Sequence, residues 1–261
     1  MPKPLPVDVR LMNGAASALF VVVGLALAAA ALVWLSRTPW WSIRVIQLDG
    51  DMQRNSLSTI RANAMPRLSG NFLSLDLDKA RAAFESVPWV RHATLRRIWP
   101  DRLAVQLVEH QPVALWKGED GNDRLVNDQG EVFEANLGDV EDDDLPTLAG
   151  PDGTAAQMLA LYRRLEPLFS SGGRQLTTLY LSGRGSWRAE FDSGAVVDIG
   201  RGSEDEVVAR CERFVRTVGQ VTGRYRRALE QADLRYAEGY ALRLQGITTT
   251  TAASAAAARK N

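Results

Sequence analysis

The sequence predicts an α+β protein hung from a single apolar helix, and three observations carry that prediction. Residues 15–35, AASALFVVVGLALAAAALVWL, are an uninterrupted apolar run without an ionisable side chain. Residues 43–110 read as one strand, two helices and two strands, with the hydrophobic period changing from helical spacing to two near Pro88. Residues 111–246 mix short alternating strand patterns with two amphipathic helices, a mixed β-domain.

At about 1.5 Å per residue, a helix over residues 15–35 spans about 30 Å, the thickness of a bilayer's hydrocarbon core. It is apolar all round, whereas a soluble surface helix keeps a polar face. Lys3 and Arg10 precede it and the alanines at 28–31 mimic a signal-peptide cleavage site. The run nevertheless exceeds the ~7–15 residues of a signal h-region and continues through Val33 and Trp34, which favours an uncleaved anchor. Trp34, Trp40 and Trp41 then form an aromatic belt at the far interface. Residues 1–14 are a short tail whose Lys3, Arg10 and terminal amine outweigh Arg37 and Arg44 slightly, so the tail is expected in the cytoplasm and the rest outside it.

Residues 43–48 (IRVIQL) are the first strand, closed by Asp49-Gly50. Ser56 caps a helix carrying Leu57, Ile60 and Ala64, and Pro66 and Gly70 close it. A second helix starts near Asp76 or Asp78 with Leu77, Ala80, Phe84 and Val87 on one face, stopped by Pro88. Residues 90–98 and 102–110 are strands joined by Trp99-Pro100-Asp101, with Leu103, Val105 and Leu107 on the buried face. Strands follow at 113–116 and 124–133, the latter broken by an Asn127-Asp128-Gln129-Gly130 turn. Residues 139–144 (DVEDDD) lack the ligand spacing and glycine of a cation loop and read as a solvated loop. Thr154 caps a helix with Met158, Leu161, Leu165 and Leu168, bent or ended near Pro167. Strands at 176–181, 187–191 and 196–199 precede a Ser203/Glu206 capping box and a long helix with the stripe Val207, Cys211, Phe214 and Val218. Residues 232–244 read as one final strand with Leu234, Tyr236, Tyr240 and Leu242 on one parity, and residues 247–261 as a disordered tail.

Lysine plus arginine and aspartate plus glutamate each number 31, which argues against a general nucleic-acid binder. Two histidines and one cysteine are too few for a zinc site. His92 sits among Arg91, Arg96 and Arg97 as a surface residue, and His110 has no Ser or Cys elbow nearby. Cys211 lies on a core stripe, an inert thiol that forms no internal disulfide. Gly183-Arg-Gly185 and Gly200-Arg-Gly202 are too short for a phosphate loop. A pair of acid–base carboxylates leaves no local signature, and that alternative stays open.

Residues 87–116, VPWVRHATLRRIWPDRLAVQLVEHQPVALW, resemble the bacterial cell-division FtsQ/DivIB family in their Pro-Trp-Val entry, Trp-Pro-Asp turn and Val-Glu-His-x-Pro-Val-Ala exit. Residues 43–50, 148–151 with the helix after them, Ile199-Gly-Arg-Gly202 and Asp233-Leu-Arg-Tyr236 with Gly239 extend the resemblance to about residue 246. It implies a cytoplasmic tail (1–14), a transmembrane helix (15–35) in the inner-membrane bilayer, a POTRA domain (43–110) and a β-domain (111–246) in the periplasm. It further implies a non-enzymatic scaffold of the divisome at the septum, without cofactor or metal, that binds FtsB and FtsL and links early to late division proteins. The POTRA domain is then tied to septal recruitment. An edge strand receives FtsB through Leu234, Arg235, Tyr236, Ala237, Glu238, Gly239 and Tyr240. Where the family has small residues after Leu-Arg-Tyr, Glu238 changes the side-chain contact and leaves backbone pairing possible. A POTRA-bearing component of protein translocation and an exported enzyme are the alternative readings.

Overall fold

The computed structural model describes residues 7–36, 42–50, 53–54, 56–68, 70–118, 121–236 and 239–246, and the chain forms two compact units, Met1–Glu109 and His110–Asn261. The features expected at Lys3, Arg37, Trp40, Trp41, Ala237, Glu238 and residues 247–261 lie outside the described residues.

Helix α1 (Val7–Ser36) is longer than the apolar run and takes in the polar turn that carries Asp8 and Arg10. Its stretch Met12–Ala31 is long and apolar enough to cross a membrane. The described side chains of that stretch are exposed on every side, as a lipid-facing helix requires.

The rest of the first unit is β1 (Val45–Asp49), α2 (Leu57–Ala64), a 3₁₀ turn (Met65–Arg67), α3 (Leu77–Glu85), β2 (Val90–Ile98) and β3 (Arg102–Glu109). The Ser56 hydroxyl accepts the Thr59 N–H at 3.1 Å and so starts α2. The Asp76 carboxylate accepts the N–H groups of Asp78 and Lys79 at 3.0 and 3.2 Å at the start of α3. Those bonds, Lys79's above all, hold its carboxyl below the ordinary range. The sheet order is β1-β3-β2, with β3 parallel to β1 and antiparallel to β2. Leu103, Val105 and Leu107 of β3 meet Ile60, Ala64, Ala80 and Phe84 in one core. Burying each such leucine is worth about 1.5–3 kcal/mol. The turn after β1 needs glycine: at φ 140°, a Cβ on Gly50 would lie 2.2 Å from the Leu107 carbonyl oxygen. At the far end of the sheet the buried Glu109 carboxylate accepts the N–H groups of Gln53 and Arg54 at 2.9 and 3.1 Å. The Arg54 guanidinium lies 5.0 Å from the centre of the buried Trp89 ring.

The second unit contains β4 (Pro112–Lys117), β5 (Asp123–Asn127), β6 (Val132–Phe133), β7 (Thr147–Ala149), α4 (Ala155–Ser171), β8 (Leu176–Leu181), β9 (Trp187–Phe191), β10 (Val196–Gly200), α5 (Glu204–Tyr225), β11 (Leu229–Asp233) and β12 (Ala241–Leu244). They make a nine-stranded sheet, β12-β11-β10-β9-β8-β7-β4-β5-β6. The parallel neighbours β7/β8 and β10/β11 each need a crossover, and α4 and α5 supply them. Met158, Leu161, Leu165 and Phe169 of α4 pack with Val207, Cys211, Phe214 and Val218 of α5 and with Leu148, Leu179, Ala189 and Val197 of the sheet.

Three local expectations are corrected and one is narrowed. Thr154 stands at the N-cap of α4, but its hydroxyl donates back to the Pro151 carbonyl at 2.7 Å instead of capping. Pro167 lies inside α4, so of the two expectations, bent or ended, the helix is not ended there: it runs on to Ser171, with Leu165 and Phe169 on either side buried in the core. The acidic stretch is a 3₁₀ helix, Leu137–Asp143, which Asn136 opens by accepting the Gly138 N–H at 3.2 Å and buried Val140 anchors. The last expected strand, over residues 232–244, is interrupted.

The Asn127 turn is held by its own buried amide. Its Oδ1 accepts the N–H groups of Gln129 and Glu131 at 3.0 and 2.8 Å, and its Nδ2 donates to Glu131 Oε2 at 2.7 Å. The same Nδ2 meets His110 Nδ1 at 2.9 Å, so that ring nitrogen is the acceptor, and the ring stacks on Phe133 at 4.0 Å.

Candidate functional site

The expected single strand over residues 232–244 is two strands. β11 ends at Asp233, and β12 returns antiparallel to it, with Ala232 opposite Leu242 and Asp233 opposite Ala241. The ladder stops for a local reason. The Asp233 carboxylate takes the Arg235 N–H at 3.1 Å and its guanidinium at 2.8 and 2.6 Å, which turns the chain away from the sheet. That pairing, Arg235's hydrogen bonds first, holds the Asp233 carboxyl below its ordinary range and pushes the guanidinium up. Of the seven residues expected to receive a partner, Leu234, Arg235, Tyr236, Gly239 and Tyr240 therefore lie between β11 and β12 and not within a strand, and among the described residues the strand at the sheet's edge is β12.

The connection sorts those residues into different roles. Leu234, 2 % exposed, belongs to the core, and its N–H continues to the Asp198 carbonyl at 2.8 Å. The Asp198 carboxylate in turn holds Arg188 of β9 at 2.7 Å and Gln231 of β11 at 3.1 Å. Tyr240 is half-buried: its ring stands edge-on to Phe214 of α5 at 5.2 Å. Tyr236 is 59 % exposed. A methyl on Gly239 would meet nothing within 4 Å.

Two open grooves flank the connection. One, about 910 Å³, runs along β12 and is lined by Val221, Tyr225, Gln231, Leu242, Arg243 and Leu244, among others. The other, about 790 Å³, has Arg184, Arg201, Arg210, Arg213 and Arg235 around Tyr236. Arg210 is spent inside it, donating to the Ile199 carbonyl at 2.5 Å and to the Arg201 carbonyl. The arginines of the two Gly-Arg-Gly turns thus line a basic groove. Tyr225 carries a sequence signal of its own. The period that places Val218 in the core continues to Val221 and Tyr225, but the core ends first and leaves Tyr225 56 % exposed beside β12.

Neither histidine belongs to β11, β12 or the segment between them. The exposed His92 has its Nδ1 2.9 Å from Glu85 Oε1 at the end of α3, and His110 is held in the Asn127 turn. Among the described residues no group of three or more His, Cys, Asp or Glu is placed to hold a metal.

Residues 41–110 match the family model for the POTRA domain, FtsQ-type, and residues 114–235 match that for the cell division protein FtsQ/DivIB C-terminal region. A Cell division protein FtsQ of Thiomonas arsenitoxydans is 42 % identical over 247 residues, covering 94 % of this chain and 91 % of that protein. The chain belongs to the FtsQ cell-division family. Relatives of the same name from Burkholderia pseudomallei (42 % identical, 94 % of this chain and 96 % of that one) and Bordetella pertussis (36 %, 91 % and 92 %) extend across both units. In this FtsQ-type chain the β-α-α-β-β unit is a POTRA domain, and the C-terminal family match ends at Arg235, where the connection to the edge strand begins.

Proposed function

We propose that this chain is a non-enzymatic divisome scaffold of the bacterial inner membrane, acting at the septum and linking early to late division proteins. Its N-terminus is cytoplasmic and both units after α1 are periplasmic. It binds FtsB by taking an FtsB segment as a further strand along β12, with FtsL in the same complex. The observation that carries this reading is the edge itself. Among the described residues β12 has a strand on one side only, so backbone N–H and C=O groups on its other side are open to pairing. The overhanging Tyr225 and half-buried Leu242 give an added strand apolar area to cover, and the arginines around Tyr236 favour acidic side chains beside it.

The test is co-purification with FtsB from membranes. Tyr236→Ala is expected to leave the fold intact, because the ring is exposed, and to weaken FtsB binding by about 2 kcal/mol, roughly thirtyfold, with loss of division in complementation. A folded Tyr236→Ala protein that binds FtsB normally removes the connection from the contact. For orientation, a reporter active only outside the cytoplasm is expected to work when fused after Gly246 and to be silent at Asn13. The reverse pattern ends the periplasmic reading.

A further inference from the structure

In the POTRA sheet, β1 and β3 run parallel, so the end at which the chain arrives from α1 is also the end that carries the β2–β3 turn, Trp99-Pro100-Asp101. The Asp101 carbonyl accepts the Arg44 N–H at 2.9 Å and fastens the turn to that arrival point. The last helical residue of α1 is Ser36, so Arg44 lies within about 28 Å of it even if the link is fully extended. The opposite end of the sheet, at Glu109, is where the chain departs.

The arriving end has an unusual surface. Trp99 is 76 % exposed, Pro100 is exposed beside it, and Val45 next to the turn is exposed as well. Exposed Arg44, Arg96 and Arg102 flank them. Among the described residues no ion-pair or hydrogen-bond partner satisfies those three guanidiniums, whereas the neighbouring Arg97 is taken up by the Leu75 carbonyl. Asp101 is the acid of the turn, so the tip remains net positive. An amphipathic indole ringed by free guanidiniums matches the headgroup layer of a bilayer, where tryptophan collects and anionic headgroups attract arginine.

We propose that this hairpin tip rests on the surface of the same bilayer that α1 crosses, with the Trp99 ring at headgroup level and Arg44, Arg96 and Arg102 on lipid phosphates. The contact rests on α1 being membrane-spanning. It holds the POTRA sheet upright by two points, the tether at Arg44 and the tip.

The test uses the full chain labelled with 5-fluorotryptophan in phosphatidylglycerol-containing nanodiscs, with ¹⁹F resonances assigned by their loss in Trp34→Phe, Trp99→Phe and Trp187→Phe. A lipid carrying a nitroxide at its headgroup is expected to remove most of the intensity of Trp34 and Trp99. If Trp34 is broadened while Trp99 is spared and instead responds to a water-soluble gadolinium chelate, the tip does not touch lipid and the proposal falls. If neither responds to the lipid probe, α1 is not in the bilayer and both readings fall together. The triple change R44Q, R96Q, R102Q is expected to restore part of the Trp99 intensity. Unchanged broadening would overturn the arginines' part in the contact.

Discussion

The hydroxyl oxygens of Tyr240 and Thr217 lie 2.5 Å apart, joining the residue before β12 to the middle of α5. With the Tyr240 ring edge-on to Phe214, this is the contact that seats the edge strand on the helix behind it. Tyr240→Phe keeps the ring and loses the bond, at an expected cost of about 1 kcal/mol in chemical denaturation. Tyr240→Ala is expected to cost about 3 kcal/mol or more and to raise amide exchange across residues 241–244. Equal stability of the two variants would place the energy in the hydroxyl and not in the ring.

The Asp233–Arg235 pair gives the connection an acid sensitivity. Its carboxyl titrates below the ordinary value of 3.8 in the folded chain, so the stabilisation is present above that value and fades as pH falls through the lower, folded one. The stability gap between the wild type and Arg235→Gln is therefore expected to be full at pH 6 and to close in strong acid. A gap independent of pH would show that Arg235 acts by packing.

The POTRA order was legible because its signals are local. Ser56, Asp76 and the alternation of Leu103, Val105 and Leu107 each act within a few residues, and each stands where its chemistry puts it. The edge was misread because Leu234 is buried and Tyr240 half-buried against the same core, so the parity of a strand persists through a chain reversal. Alternation records which side a residue faces and is blind to direction along the sheet. β7 escaped notice as a strand because three residues, Thr147–Ala149, carry too little pattern, although β4 and β8 pair with it on both sides.

Leu107 and Arg96 test the two faces of the POTRA sheet. Leu107→Ala opens a cavity between β3 and the helices and is expected to cost about 2–5 kcal/mol. Arg96→Ala, on the exposed face, is expected to change stability by less than about 0.5 kcal/mol. Similar melting losses for both would refute the face assignment.

Burial pushes the Cys211 thiol up to about 12, so at neutral pH it is protonated and shielded. Maleimide is expected to leave the native protein unlabelled and to react once denaturant unfolds the second unit. Rapid native labelling would mean that α5 opens from the sheet without global unfolding.

The parallel run of β1 beside β3 has a mechanical consequence. The chain enters the sheet at Val45 and leaves it from Glu109, so tension applied between α1 and the second unit pulls these strands in opposite directions along their length. The five register pairs from Val45–Arg102 to Asp49–Gln106 then resist sliding together, where a pull across the sheet would peel them one at a time. Rupture under such a load is governed by the unfolding barrier and not by equilibrium stability. Where α1 and the second unit are both held, shear loading makes the POTRA domain a stiff link in the chain between them.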